Sequence, residues 1–552
     1  MPKNNQWQVG NISFDTTLTT DGMTKRDDIV PIAQTKEDND IVGYILGRYE
    51  SMRSARSFTD QEWRTIVTGF ESMYKPYPDG RSSSIVPLER ALVEMYVSEA
   101  IKRPTQFNVR EDVGNEYQSK ILDRLWKQDW LENKRNNTIL KNEYDTAIFG
   151  TSWLYTGFEQ TYRIVNDFVG IGDKGKPQYQ RKMIMNSEIV LQNVDIRNVY
   201  VDERAHSIEE ANDAMIIEFL TIDEVKNLRN DSNYKNIDAL AATYLYQGGN
   251  YVFMSQEEIG KGNAYYVKIT KYWNKRFDEY IEVGNDAVVI RRHPILNATH
   301  DIPLVCRNYG RKIASVYGLG LCEACRTFKS EINVLRELLM DSIKRSNQEV
   351  IFLGGGLTFD GEEFGYNNQI RTYTGGDLAS NFKQVTGSPP NQFAFNFHEQ
   401  LFHDIAAYIG YDVQNVSIDP NITAFQASLQ KESSLSRVNV AFYNRDMSFE
   451  RMAELHKNNL QIFYPLKEIS GVQELDANGK PIKVQWKEPT LTLEGEDVKD
   501  GKIIRKTGKR TIQITPEDIR ADLKMEVYTD FNAPTLNEVR KEQTMQFLTQ
   551  LP

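Results

Sequence analysis

The chain has 552 residues with 40% hydrophobic and 11% aromatic content, the make-up of a folded protein with ample core and not of a disordered or collagenous one. Sixty-six basic against 77 acidic residues give a net charge of -11, which excludes a broad basic face that grips nucleic acid. Three cysteines, Cys306, Cys322 and Cys325, cannot build a disulfide framework and fit a reducing compartment.

Residues 1–40 are polar and read as an N-terminal arm with neither signal- nor transit-peptide character. No apolar run approaches the ~20 residues needed to cross a bilayer, so no membrane partner is expected. Helical periodicity then covers 40–56 and 85–101, the latter through Ile85, Leu88, Leu92 and Met95. Pro87 is tolerated in a first turn, and Pro104 forces a stop at Arg103. Two more helices are expected at 115–131 and 134–149, the second capped by Gly150. Beyond Gly150 the period becomes alternating, with strand-like pieces at 153–158, 162–165, 182–185 and 194–202. A short helix follows at 221–229, then β structure over 265–290 with a turn at Gly284-Asn285. Residues 41–320 thus read as an α+β body.

The clearest element comes next. Leu321, Cys325, Phe328, Ile332, Leu335 and Leu339 repeat at spacings of four and three, one apolar stripe on a helix of about 26 residues, ~39 Å long. The glycines at 354–356 break the chain, and a Gly/Asn/Thr/Pro-rich stretch with weak β signals runs on to about 395. A second helix spans 396–409, with Phe397, Leu401, Ile405 and Tyr408 on one side, followed by a loop from 412. Residues 424–463 form a third helical pattern through Leu435, Val438, Phe442, Phe449, Met452 and Leu455. The last segment, 466–552, reads as a β meander with a hairpin signal at Asn478-Gly479 and a final helix from Thr535, whose partner at capping-box spacing is Glu538. At ~150 residues per domain the length alone would suggest roughly three to four domains. Two long helices flanking a small insert suggest instead a stalk carrying a cap.

Candidate chemistry is sparse. The GIGDKGK run at 170–176 has most of a phosphate-binding loop, but such a loop needs Ser or Thr after the lysine and a helix beyond it; Pro177 and strand-like residues stand there, so a hairpin tip is expected. Cys322 and Cys325 lack the second pair of a zinc site and sit on a helix whose apolar stripe includes Cys325. The six histidines form no metal-binding spacing; His398 and His403 are five apart and diverge on a helix. No catalytic motif, metal or cofactor is read, and the chain is not expected to be an enzyme.

One charge feature stands apart. From Gln384 to Gln430 there is neither Lys nor Arg, while Glu399, Asp404, Asp412 and Asp419 supply negative charge. A chain of this composition can produce such a gap by chance. The functional alternative is a surface that faces a polyanion without holding it, because basic groups there would release counterions and bind.

The order of elements resembles the portal proteins of tailed bacteriophages, the short-tailed branch most closely and the crAss-like phages among them. The resemblance rests on IKRP at 101–104, AIFGTSWLY at 147–155, VDIRNVYVD at 194–202, YW at 272–273, IPL at 302–304, YGLG at 317–320 ahead of EIN at 331–333, and PTLNEVR at 534–540. It implies an α+β portal fold in a dodecameric ring with a central channel at the capsid vertex of the virion. There the ring is the conduit for packaging by terminase and for ejection of double-stranded DNA. The implied partners are further copies of the chain, the major capsid protein, the large terminase subunit and the tail adaptors.

Carried onto this chain, the resemblance gives a wing over 41–320, a first stem helix over 321–348, a clip over 349–395 and a second stem helix over 396–411. A channel loop over 412–423, a long wing and crown helix over 424–465 and a β-rich wing and crown segment over 466–552 complete it. The crown would be small or cut short at Pro552. Glu399, Asp404, Asp412, Gln414, Asn415 and Asp419 would line the DNA channel, and Asp360, Glu362, Glu363, Arg371 and Asp377 would face terminase and tail from the clip. The other readings are a different ring-forming virion adaptor or scaffold, or a nucleotide-binding enzyme using 170–176.

Overall fold

The computed structural model describes residues 8–9, 12–13, 35–71, 82–110, 116–171, 177–346 (without 230, 232, 248–249, 255–264 and 298), 350–353, 369–372, 382–385, 392–409, 438–464, 471–475, 481–486, 490–499, 502–513, 519 and 523–529. Two short strands, β1 (Gln8–Val9) and β2 (Ile12–Ser13), pair within the arm. Helix α1 (Lys36–Glu71) starts inside the predicted arm because Thr35 and Asp38 cap it reciprocally: the Asp38 amide donates to Thr35 Oγ1 at 3.1 Å and the Thr35 amide to Asp38 Oδ2 at 3.0 Å. It also runs fifteen residues past the expected end at Arg56. Trp63 and Ile66 bury one face of that extension, but two anchors among polar residues leave too weak a periodicity to read.

α2 (Leu88–Lys102), α3 (Glu116–Glu132) and α4 (Arg135–Phe149) stand close to their predicted bounds. Between the first two, β3 (Thr105–Val109) forms after Pro104. Gly150 closes α4 at φ 81°, the left-handed conformation expected of it.

β4 (Thr151–Ile171) and β5 (Pro177–Val194) form one long antiparallel hairpin, in register from Trp153↔Val194 to Ile171↔Pro177. The sequence shows only broken pieces of it. Toward the tip Phe168 and Tyr179 are both exposed, so the clean in/out alternation that marks a half-buried strand is absent. Of the GIGDKGK run, Gly170 and Ile171 end β4 opposite Gln178 and Pro177, 172–176 lie outside the described residues, and a strand rather than a helix follows Lys176. No helix N-terminus is there to receive a phosphate.

The next strands build a seven-stranded antiparallel sheet: β6 (Val199–Val201), β7 (Asp213–Thr221), β8 (Tyr244–Gln247), β9 (Asn250–Phe253), β10 (Tyr266–Asn274), β11 (Glu279–Gly284) and β12 (Val288–Pro294). Its order is β12-β11-β10-β7-β6, with β8 joining β10 to β9. The turn between β11 and β12 falls one residue later than expected. Asn285 and Asp286 take positive φ of 50° and 58°, as the tight hairpin demands, and both residue types tolerate that region. Helix α5 (Ile222–Leu228) begins at a complete Thr221/Glu224 capping box.

β13 (Leu304–Asn308) pairs with the base of β4, and a small hairpin, β14 (Gly310–Arg311) with β15 (Gly318–Leu319), leads into α6 (Leu321–Ser346). The weak β signals beyond it resolve into β16 (Val350–Leu353), β17 (Gln369–Thr372) and β18 (Phe382–Val385), ordered β17-β16-β18 with β16 parallel to β17. α7 (Gln392–Ile409) begins four residues before the expected start, and α8 (Val438–Phe463) covers the later part of the third helical pattern; 424–437 lie outside the described residues.

The C-terminal strands are not a simple meander. β19 (Gly471–Leu475) and β20 (Pro481–Trp486) extend the sheet of the long hairpin to the order β13-β4-β5-β19-β20. β21 (Thr490–Lys499) and β22 (Lys502–Gln513) pair with each other, and β23 (Met525–Thr529) returns to β3, with Met525 opposite Val109 and Thr529 opposite Thr105. The expected helix from Thr535 lies outside the described residues. The protein is thus α+β, with a core of α2, α4, α6 and the inner sheet faces around Tyr96, Trp153 and Ile302, and a second core of α3 and α8 around Trp126 and Phe449.

At the junction of these cores Glu143 of α4 is buried between two guanidinium groups. Arg307 of β13 donates to Glu143 Oε2 at 2.6 Å, and Arg445 of α8 reaches Oε1 at 3.5 Å. Burial alone would raise the Glu143 carboxyl, but the two arginines outweigh it and hold its pKa low. Removing one member of such a group leaves buried charge uncompensated. Glu143→Gln is expected to destabilise the protein by about 3–5 kcal/mol, read as a lowered urea midpoint, with Glu143→Asp losing less.

Candidate functional site

α6 and α7 run antiparallel, because Phe328 meets Tyr408 at a ring distance of 5.9 Å while Arg336 Nε donates to His398 Nε2 at 3.1 Å. Ile332, Leu401, Ile405 and Ile409 are buried in the seam. On α7 the buried face is rotated from the predicted one. Leu401 and Ile405 are inside as expected, but Phe402 and Ile409 complete the seam, and Phe397 and Tyr408 are exposed. At the far end of the pair lies the three-stranded sheet of β16, β17 and β18.

The pair is rooted in the body by three glycines whose backbones touch. A Cβ on Gly150 would lie 2.4 Å from the Gly320 amide nitrogen, and one on Gly318 would lie 2.4 Å from the Gly150 carbonyl oxygen. The Gly318 amide also donates to Thr151 Oγ1 at 2.6 Å. The FG at 149–150 and the YGLG at 317–320, remote in sequence, are two halves of one close contact at the foot of α6. Cys322 and Cys325 are buried just above it, and burial pushes both thiols up, Cys325 to about 12, so neither is a ready nucleophile or ligand.

A contact not foreseen from sequence runs up the side of α6. The amides of Ser82, Ser84 and Val86 donate to Asp341 Oδ1, Glu337 Oε1 and Asn333 Oδ1 at 2.9, 3.1 and 2.9 Å. The acceptors recur every four residues on one helix line, while the extended segment places alternate amides on the same side. The Asn333, Glu337, Asp341 spacing was the available signal.

Of the predicted channel residues, Glu399 and Asp404 sit on the solvent side of α7 with His403, opposite Leu401, Phe402 and Ile405. Asp412, Gln414, Asn415 and Asp419 lie outside the described residues. Of the predicted tip residues, Arg371 is in β17 opposite Phe352, and Asp360, Glu362, Glu363 and Asp377 lie outside the described residues. α7 carries no Lys or Arg, and Glu399 and Asp404 are its two charged carboxylates, both exposed and on separate flanks of the helix because they are five residues apart. The outer surface of α6 carries Val334 and Leu338, 52% and 62% exposed, off the seam with α7.

Among the described residues no cluster of His, Cys, Asp and Glu could hold a metal ion, and no helix is long and apolar enough to cross a membrane. No protein-family model matches the chain, and a search of curated proteins finds no match.

The glycine contact yields a sharp expectation. Gly150→Ala places a methyl group against the start of α6 and forces an L-residue into positive φ, so it is expected to cost on the order of 2 kcal/mol or more. A variant melting within a degree of the wild type would contradict the close packing.

Proposed function

We propose that this chain is the subunit of a portal-type ring, a conduit for double-stranded DNA at a capsid vertex, with α6 and α7 as its stem and the β16–β18 sheet as its clip. The observation that carries the reading is the helix pair itself: two antiparallel helices rooted in an α+β body, tipped by a small mixed sheet, with apolar residues outside their own seam. Val334 and Leu338 sit on a face that the described residues leave 52% and 62% exposed, and burying the rest of each would contribute on the order of 1 kcal/mol. A neighbouring copy in a closed ring supplies that cover at every subunit. The cation-free side of α7 supports the second half of the reading. Glu399 and Asp404, repeated around a ring, repel phosphates and leave DNA free to slide. The partners on this reading are the capsid protein, the packaging terminase and the tail adaptors.

Negative-stain imaging of the purified protein is expected to give end-on rings with a central hole. Leu338→Asp is expected to yield monomers with unchanged helical circular dichroism; monomers or filaments from the wild type would count against the ring. Replacing Glu399 and Asp404 together by lysine is expected to leave the fold intact, since both are exposed, and to slow DNA packaging and ejection. Unchanged packaging and ejection would remove the channel assignment while leaving the ring in place.

A further inference from the structure

A cleft of about 90 Å³ lies where the seven-stranded sheet faces β4 and the end of α8, far in sequence from the stem and independent of the ring reading. Aromatic rings line it: Tyr155, Phe158, Tyr234, Trp273, Tyr280 and Phe463. Its β12 wall carries Arg291 and His293, two residues apart and so on one face of the strand. Arg291 Nη1 is engaged by Glu282 Oε1 and the Tyr234 hydroxyl, both at 3.3 Å, but Arg291 Nε and His293 Nε2 are buried without a hydrogen-bond partner among the described residues. A buried polar atom left unpaired costs about 1–3 kcal/mol, so two on cleft-lining residues of the same strand face call for an occupant.

The chemistry of the two atoms defines what that occupant is. Arg291 Nε–H is a donor. His293 Nδ1 lies 2.6 Å from the Pro294 carbonyl oxygen, which can only accept, so Nδ1 carries the proton and Nε2 presents a lone pair. Burial and the nearby Arg291 charge lower the His293 pKa and keep the ring neutral. A donor beside an acceptor is matched by a group with a carbonyl oxygen beside an N–H. A carboxylate would set its second oxygen against the imidazole lone pair and lie near Glu282 and Glu159. An ammonium would leave Arg291 Nε unpaired and add charge beside it. Gly157 helps to keep the floor open, since a Cβ there would lie 2.3 Å from the Tyr155 hydroxyl.

We propose that this cleft binds the primary carboxamide end of a small planar ligand, its carbonyl oxygen accepting from Arg291 and its NH2 donating to His293, with the body of the ligand against the aromatic rings. The volume is below the about 150 Å³ of an engineered cavity that takes benzene, so the amide enters and a larger body stays at the mouth.

The test is calorimetric titration of the full chain with benzamide and with benzoate, its isosteric acid, at pH 7.5. Benzamide is expected to bind at least tenfold more tightly than benzoate. His293→Ala and, separately, Arg291→Lys, which keeps the charge but loses the Nε–H, are each expected to reduce benzamide affinity at least tenfold with melting temperatures near the wild type. Equal affinity for the two probes, no binding of either, or full benzamide affinity in a folded Arg291→Lys variant overturns the proposal. A crystal structure with water alone bridging Arg291 Nε and His293 Nε2 in the presence of benzamide does the same.

Discussion

The fold turns on one carboxylate. Glu143 on α4 is shared by Arg307 from β13 and Arg445 from α8, and the group is tied outward by Tyr96 on α2, whose hydroxyl accepts from Arg307 at 2.9 Å, and by the Arg103 carbonyl, which accepts from Arg445 at 2.8 Å. Five parts of the chain, from residue 96 to residue 445, meet in a space closed to water. Asp446 gives Arg445 a second carboxylate, 3.8 Å from its Nε, and aromatic rings cover both guanidinium groups: Arg445 lies 4.6 Å from the Phe442 ring centre and Arg307 5.1 Å from that of Phe449. Burial nonetheless lowers the Arg445 pKa, with Glu143 only partly offsetting it.

A second polar knot holds α8 one level further along. His456 Nε2 lies 3.0 Å from Asp129 Oδ2 on α3, and its Nδ1 lies 3.1 Å from Thr156 Oγ1 on β4. Burial would raise the Asp129 carboxyl, but the His456 hydrogen bond and the charges of His456 and Arg135 bring it down to about 2. Hydroxyl, imidazole and carboxylate in line have the order of a catalytic relay. Thr156 is wholly buried in a strand and its hydroxyl oxygen also accepts from Asn459 at 3.2 Å, so the arrangement braces the helix against the sheet. The two knots fix α8 to α3, α4 and the five-stranded sheet through β13 and β4, and the glycine contact at 150, 318 and 320 sets α6 on the same platform. On the portal reading this gives the stem a rigid foot, which suits a part whose neighbours must meet it at a fixed angle around a ring.

The elements most legible in the sequence were those whose signal is local. A single apolar stripe from Leu321 to Leu339 gave α6 to within two residues of its end, Gly150 gave the stop of α4, and the short helix read at 221–229 matches α5 to within a residue at each end. The β4–β5 hairpin was legible only in fragments, because its outer part is a ribbon open on both sides. The buried face of α7 was misread by a part-turn, since phenylalanine and tyrosine lie all round that helix and only the position of α6 chooses among them. Of the candidate site, the acidic, cation-free character of α7 was plain from composition. The apolar residues on the back of α6, the Asn333, Glu337, Asp341 ladder and the cleft beside Arg291 were not recognised.

By itself the sequence determined the class of the protein, an acidic α+β chain with two long helices around a short β insert, because length, periodicity and punctuation are properties of neighbouring residues. Tertiary structure alone decided that Glu143 would be shared by two arginines, that β23 would return to β3, and that Gly150 would face Gly320. Each joins positions more than 150 residues apart, and no local propensity records which distant strand or helix will arrive to complete a contact.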